Sequence, residues 1–352
     1  MIAWFRYICL IVSLIITMPE LLSAQRLVSQ RQEDVEAGLL YNESVYILSN
    51  YSCLSSNSPE KLSLDELLRK QIEGFYFYLK RDTETNVLLL RKPDGTFTPF
   101  SESLEAIKTA LDADSTKVMT LFLDFYVETE LESSFKEIGL MEYVLEYDTK
   151  NGWPSLKDML SSGKRLVVFE VQKHLNSPSW LHNMRDFVEH TDADWGNQPE
   201  GVESFDERLK KNLSLFTGYK FLETSRGNSN DISALARQTP YLIESFKRAW
   251  IRDGRVPNFI LVDKYYAWLD VSLVTFRNFD IIYGAVTNNN ELLNYVNWDG
   301  MSNYTTGKYC FPLEPGAELM LSPISPGYRI EPTTVYVSGT QRKAFASDFK
   351  AR

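Results

Sequence analysis

The sequence predicts an α/β barrel of parallel strands covered by helices, with a small β-rich appendage at its C-terminal end. Three stretches predict it. Val118–Glu128 (VMTLFLDFYVE), Lys164–Glu170 (KRLVVFE) and Pro257–Tyr265 (PNFILVDKY) are each a short apolar run that meets a single acid. Continuous Val/Leu/Phe runs of this length read as strands buried on both faces, which points to a parallel sheet between helices. Asp124 stands where the first of them emerges, at the C-terminal edge where α/β barrels keep their chemistry.

The chain opens with Arg6 and a 12-residue apolar run, Tyr7–Met18, followed by Pro19, Glu20 and small residues ending at Ala24. That pattern is read as a signal peptide over residues 1–24, cut after Ala24, since the run is well short of the ~20 residues a spanning helix needs. The mature chain is therefore expected to be secreted, periplasmic or at the cell surface, with no transmembrane segment. Of 352 residues, 328 remain after the cut, enough for one large α/β domain and an accessory segment. Losing Arg6 and Glu20 turns 37 basic against 47 acidic residues into 36 against 46, so the net charge stays at −10. That balance argues against nucleic acid as a partner. Cys53 and Cys310 remain, either as one disulfide or as two buried thiols, and no cysteine spacing suits a metal.

In order, residues 25–40 read as a polar arm or short helix, Ser44–Ser49 as a first strand and Leu62–Ile72 as a helix with apolar residues at 64, 67, 68 and 72. Gly74–Leu79 (GFYFYL) and Asn86–Leu90 read as strands, and Phe100–Ala110 as a helix with Ser101 as N-cap. Phe135–Tyr147 reads as helix and turn. Trp153–Leu160 reads as a helix with Pro154 at its start and Gly163 closing it. Asn176–Lys211 shows no period and is expected to be a long surface excursion. Ser214–Thr224 reads as a strand, Ile232–Arg252 as a helix broken near Pro240, Leu269–Arg277 as a helix and Asp280–Val286 as the last barrel strand. From Asn288 the composition shifts to Asn, Gly, Pro and Tyr with short alternating runs such as Thr333–Val337. The barrel is accordingly placed at 25–287 and the β appendage at 288–352.

VMTLFLDFYVE, WPSLKDMLSSGKRLVVFE at 153–170 and RVPNFILVDKY at 255–265, in that order, resemble the phosphatidylinositol-specific phospholipase C X-domain family, in its divergent secreted branch. The likeness spans about Tyr41 to Val286. It implies a distorted TIM-like barrel whose strand C-termini cleave a phosphodiester by attack of the inositol 2-hydroxyl. It also implies a histidine general base after the first strand and a histidine general acid after the third. Those positions fall here at Asn50, or Tyr51 in a shifted register, and at Arg91; no histidine precedes His174. The acid-bearing turn after the second strand falls at Leu79-Lys80, while Asp124 and Asp263 stand at carboxylate positions of the family.

The reaction needs one group to take the hydroxyl proton and another to protonate the leaving alcohol. Asn does neither, and Arg stays protonated at pKa above ~12. Loss of one such group costs about 10²–10⁴-fold. The sequence therefore supports a catalytically degenerate barrel that binds an anionic or polyhydroxylated small ligand, such as a phospholipid headgroup, through Lys80, Arg91, Asp124 and Asp263. The alternative is an active phosphoric diester hydrolase of lipid metabolism, its acid and base rebuilt from Asp124, Asp263 or Glu170. No cofactor is expected; calcium wants several hard oxygen ligands, which Asp124 beside Lys80 does not supply.

Each of these residues has a plainer reading. Asp124 suits an ion pair with Lys80 or Arg91, Lys80 and Arg91 suit solvated loop positions, and Asp263 suits a helix cap. His174, His182 and His190 are spaced by eight, which fits no common metal motif. Tyr265, Tyr266 and Trp268 suit sugar stacking or rim packing. Glycosylation sequons begin at Asn42, Asn50, Asn212 and Asn303.

Overall fold

The computed structural model describes residues 31–52, 63–69, 72–125, 131–147, 150–172, 174, 176–191, 219–223, 247, 250–251, 256, 258–262, 277–298, 301–305, 307–339 and 342–352. Residues 31–36 are helical (α1). Then follow β1 (Tyr46–Ser49), α2 (Leu64–Arg69), β2 (Gly74–Arg81), β3 (Leu88–Arg91), β4 (Phe97–Pro99), α3 (Phe100–Ala113), β5 (Met119–Asp124), α4 (Leu131–Ile138), α5 (Leu156–Ser162) and β6 (Leu166–Glu170). The barrel strands end with β7 (Leu181–Asn183), the single turn α6 (Met184–Phe187), β8 (Val188–Thr191), β9 (Tyr219–Glu223) and β10 (Phe259–Val262).

The main sheet runs β7-β6-β5-β2-β1-β10-β9-β8, and every pairing along that path is parallel. Its two end strands, β7 and β8, are consecutive in the chain and do not pair with each other among the described residues. The strands thus follow one another around a ring with a single seam, a distorted (β/α) barrel. The seam lies inside Asn176–Lys211, so that segment is not wholly a surface excursion. Leu-His-Asn and Val-Glu-His-Thr are too short and too polar to carry a strand period, which is why the pattern missed them.

Alternation sorts the faces. Phe75 and Phe77 of β2 stack 5.3 Å apart, and Phe77 meets Phe100 of α3, so this face lies under the helices. The opposite face fills the barrel with rings. Phe122 stacks on Phe169 at 5.1 Å and meets Phe259 edge-on, while Trp153, Tyr41 and Tyr46 close around them. Burial of each such ring contributes about 1.5–3 kcal/mol. A side chain at Gly74 would run into the Thr120 carbonyl of β5, so the close approach of these two strands requires glycine there. Helix α5 ends as its sequence dictates: Ser155 Oγ accepts the Asp158 N–H at 3.1 Å, and Gly163 takes φ 73° at the C-cap. Ser101 does not cap α3, which starts one residue earlier behind Pro99.

Asp280–Asn288 (β11) is not the last barrel strand. It sits in a second, five-stranded sheet with β12 (Glu291–Leu292), β15 (Lys308–Leu313), β18 (Ile330–Glu331) and β20 (Lys343–Ala351). Beside it lie β13 (Val296–Trp298) with β14 (Met301–Thr305) and β17 (Pro323–Ile324), and the ribbon of β16 (Glu318–Leu321) and β19 (Val335–Ser338). The appendage thus begins ahead of the shift in composition, because β11 is as apolar as a barrel strand. Its own core gathers on Trp298, which meets Tyr309 at 4.7 Å and Phe311 at 5.0 Å. Cys310 is a free thiol among the described residues, while Cys53 lies outside them; Cys310 accepts the Trp250 indole N–H at 3.3 Å, and burial pushes its pKa up to about 12.

Candidate functional site

Strand β2 outruns its parallel neighbour. Tyr78 pairs with Asp124, the last residue of β5, so Leu79–Arg81 project past the rim, where they pair antiparallel with β3. β3 in turn pairs with β4, and the three form a flap on the C-terminal edge of the barrel. Register partners share a face of a sheet. Tyr76 with Phe122, Tyr78 with Asp124, Lys80 with Leu89 and Arg91 with Phe97 therefore form one strip that continues the barrel interior outward.

Along this strip the charges stay apart. The Tyr76 hydroxyl donates to Asp124 Oδ2 at 2.8 Å, while Asp124 Oδ1 is buried and has no hydrogen-bond partner among the described residues. Arg91 Cζ lies 5.7 Å from the Tyr78 ring, and its Nε is likewise buried without an acceptor among the described residues. Lys80 is exposed, with Nζ 3.7 Å over the Phe97 ring. The expected ion pair of Asp124 with Lys80 or Arg91 does not form, because Tyr78 and Phe97 hold the cations on ring faces and Tyr76 takes the carboxylate. Tyr76, Tyr78 and Phe97 were not read from the sequence as site residues. The signal was present in GFYFYL, whose Phe positions alternate with Tyr: the Phe rings go to the helices and the Tyr rings to the mouth.

Asn50 follows β1 directly and is half-buried. Tyr51 turns the other way, packing edge-on against Phe75 and Phe77 in the layer beneath the helices. Ser52 fastens the flap: its hydroxyl accepts the Tyr78 N–H at 2.8 Å and donates to the Arg91 carbonyl at 2.9 Å.

Glu170 pairs with Leu123, one residue out of phase with Asp124, and so faces the helix side. There its Oε2 takes hydrogen bonds from Ser177 Oγ at 2.5 Å and His174 Nδ1 at 2.9 Å, and Phe125 stacks on the His174 ring at 4.5 Å. Glu170 thus does not join Asp124. His182 pairs with Phe169 on the interior face, with Nε2 against the Leu145 carbonyl at 3.2 Å, and burial lowers its pKa. The described histidines lie on opposite faces of the sheet, and among the described residues no three His, Cys, Asp or Glu side chains converge on a metal-sized site. Asp263, Tyr265, Tyr266 and Trp268, and the side chain of His190, lie outside the described residues, as does the leader.

The strip begins to belong to a known pattern at Leu90. Residues 90–199 match the family model described as PI-PLC X 1. That stretch is similar to the PI-PLC X-domain family. It runs from the end of β3 through the seam and includes Arg91, Asp124 and Glu170. Among solved structures, the chain is similar to the phosphatidylinositol-specific phospholipase C of Listeria monocytogenes at 13% identity and a TM-score of 0.45, covering 68% of this chain and 95% of that one. The F249X mutant of the Staphylococcus aureus phosphatidylinositol-specific phospholipase C aligns at 15% identity and a TM-score of 0.41, covering 69% of this chain and 96% of that one. No curated protein matches the chain.

Proposed function

We propose that this PI-PLC X-type barrel is an exported ligand-binding module that has lost the cyclising phosphodiester chemistry. The observation that carries the reading is the strip of Tyr76 and Tyr78 with a carboxylate at one end and a guanidinium at the other, each with a buried polar atom unmatched among the described residues. Asp124 Oδ1 is suited to accept a hydroxyl, the ring faces to lie along a polyol, and Arg91 with Lys80 to pair with phosphate. The ligand class that meets all three is a phosphorylated polyol, free or as a phospholipid headgroup.

Among the described residues, proton transfer has no comparable support. Asn50 and Arg91 cannot exchange protons near neutral pH, and Glu170 with His174 is spent on the helix side of the sheet. The test is calorimetric titration of the full chain with inositol phosphate, inositol and inorganic phosphate. Inositol phosphate is predicted to bind tightest, and Arg91→Ala to weaken it by about 10-fold or more while barely changing inositol, as expected for a lost charge-assisted hydrogen bond worth about 1.5–3 kcal/mol. Equal binding by wild type and Arg91→Ala, or binding of none of the three, would overturn the reading.

A further inference from the structure

Ser52 stands at a break in the sheet on which the flap depends. Strand β2 pairs with β1 at Phe75 and with β3 from Leu79 onward, and the turn after β1 brings Ser52 into the gap between them. The preceding residue fixes that turn to the barrel: the Tyr51 ring packs edge-on against Phe75 at 6.3 Å and Phe77 at 5.8 Å. The buried Ser52 is thus placed by the barrel and not by the flap.

The register shows what its hydroxyl replaces. Leu79 pairs with Leu90, Lys80 with Leu89 and Arg81 with Leu88, so one step further Tyr78 stands opposite Arg91. Asp82 N–H donates to the Val87 carbonyl at 2.9 Å, and hydrogen-bonded pairs alternate along an antiparallel ladder. Lys80 with Leu89 and Tyr78 with Arg91 are therefore hydrogen-bonding positions, at which a regular ladder would join the Tyr78 N–H to the Arg91 carbonyl directly. Ser52 Oγ stands between the two, accepting the N–H at 2.8 Å and donating to the carbonyl at 2.9 Å. A hydroxyl accepts and donates at once, so it adds a link to the ladder and leaves both backbone groups bonded. That link spaces β3 from β2 at the two residues that meet on the strip, where Arg91 Cζ lies 5.7 Å from the Tyr78 ring.

We infer that Ser52 is a positioning residue: by holding the ladder open it sets where Arg91 presents its guanidinium, and so the preference of the mouth for a phosphorylated over an unphosphorylated polyol. The selectivity rests on the binding function proposed above; the positioning does not, and two measurements on the full chain separate them. In the crystal structure of the unliganded Ser52→Ala chain, the Tyr78 N–H should bond the Arg91 carbonyl directly, with the guanidinium displaced along the Tyr78 ring. Closing the ladder keeps both backbone groups bonded, so the variant should fold. In calorimetric titration, Ser52→Ala should cut the preference for inositol phosphate over inositol by about 5-fold or more, the scale of one weakened charge-assisted hydrogen bond. It should add nothing in an Arg91→Ala background, because it acts through that residue. A guanidinium unmoved in Ser52→Ala, or a loss of inositol phosphate binding that persists without Arg91, overturns the role of Ser52. A wild-type chain that binds neither ligand overturns the binding function and the selectivity with it, while the crystal structure alone decides whether Ser52 places Arg91.

Discussion

Tyr76 and Asp124 depend on each other. Tyr76→Phe removes the hydrogen bond to Asp124 Oδ2 and leaves a half-buried carboxylate with neither oxygen matched among the described residues, so it should cost about 1–3 kcal/mol in urea unfolding. Tyr76→Phe combined with Asp124→Leu should recover most of that loss, since an apolar pair leaves nothing unmatched; a double variant as weak as the sum of the singles would refute the pairing. His182 gives a pH signature. Its folded pKa lies below the unfolded value of 6.5, so above that value both states are neutral and its contribution is fully present. As pH falls below 6.5, the unfolded imidazole takes a proton that the buried one refuses, and stability should drop by up to about 1.4 kcal/mol per pH unit until the folded value is passed. His182→Phe should remove that part of the decline between pH 5 and 7. Lys80, Arg91 and Asp124 were legible as mouth residues because strand ends and charges show in sequence. Their rejection of one another was not, since it depends on which rings lie between them.

At the scale of the element, the long apolar strands were read correctly because burial on both faces leaves an unbroken Val/Leu/Phe run. β7 and β8 were not, because three or four residues flanked by polar segments carry no period. The flap was half legible: β2 and β3 were read as strands, but β4 is a three-residue piece whose pairing with β3 only the fold reveals. The β2–β5 contact makes a sharp prediction. Gly74→Ala should cost at least about 1–3 kcal/mol, because the added methyl meets the Thr120 carbonyl and β2 must shift, carrying the Tyr76–Asp124 pair out of register. Phe169→Ala, which empties the centre of the ring cluster, should cost about 3–5 kcal/mol by the same assay. A Gly74→Ala chain as stable as wild type would show that β2 and β5 are not packed this closely.

Over the whole molecule, barrel and appendage are joined by a buried ionic cluster, Asp34 and Glu73 with Arg31, Arg277 and Arg342, rather than by a shared sheet. Arg342→Ala should leave the fully buried Asp34 with only the longer pair to Arg31, at 3.6 Å, and cost about 3–5 kcal/mol, with the C-terminal sheet becoming the first part of the chain cut in limited proteolysis. The boundary was misplaced in sequence because β11 carries the apolar run of a barrel strand while its partners lie far along the chain. The central claim is that a barrel of the PI-PLC X type here binds without turning over. It is tested most directly by incubating the full chain with phosphatidylinositol vesicles, in calcium and in chelator, and measuring the water-soluble inositol phosphate released. The account predicts no release above the protein-free baseline in either condition. Release that persists in wild type and vanishes in Asp124→Ala would contradict it and place a working acid–base pair at the mouth.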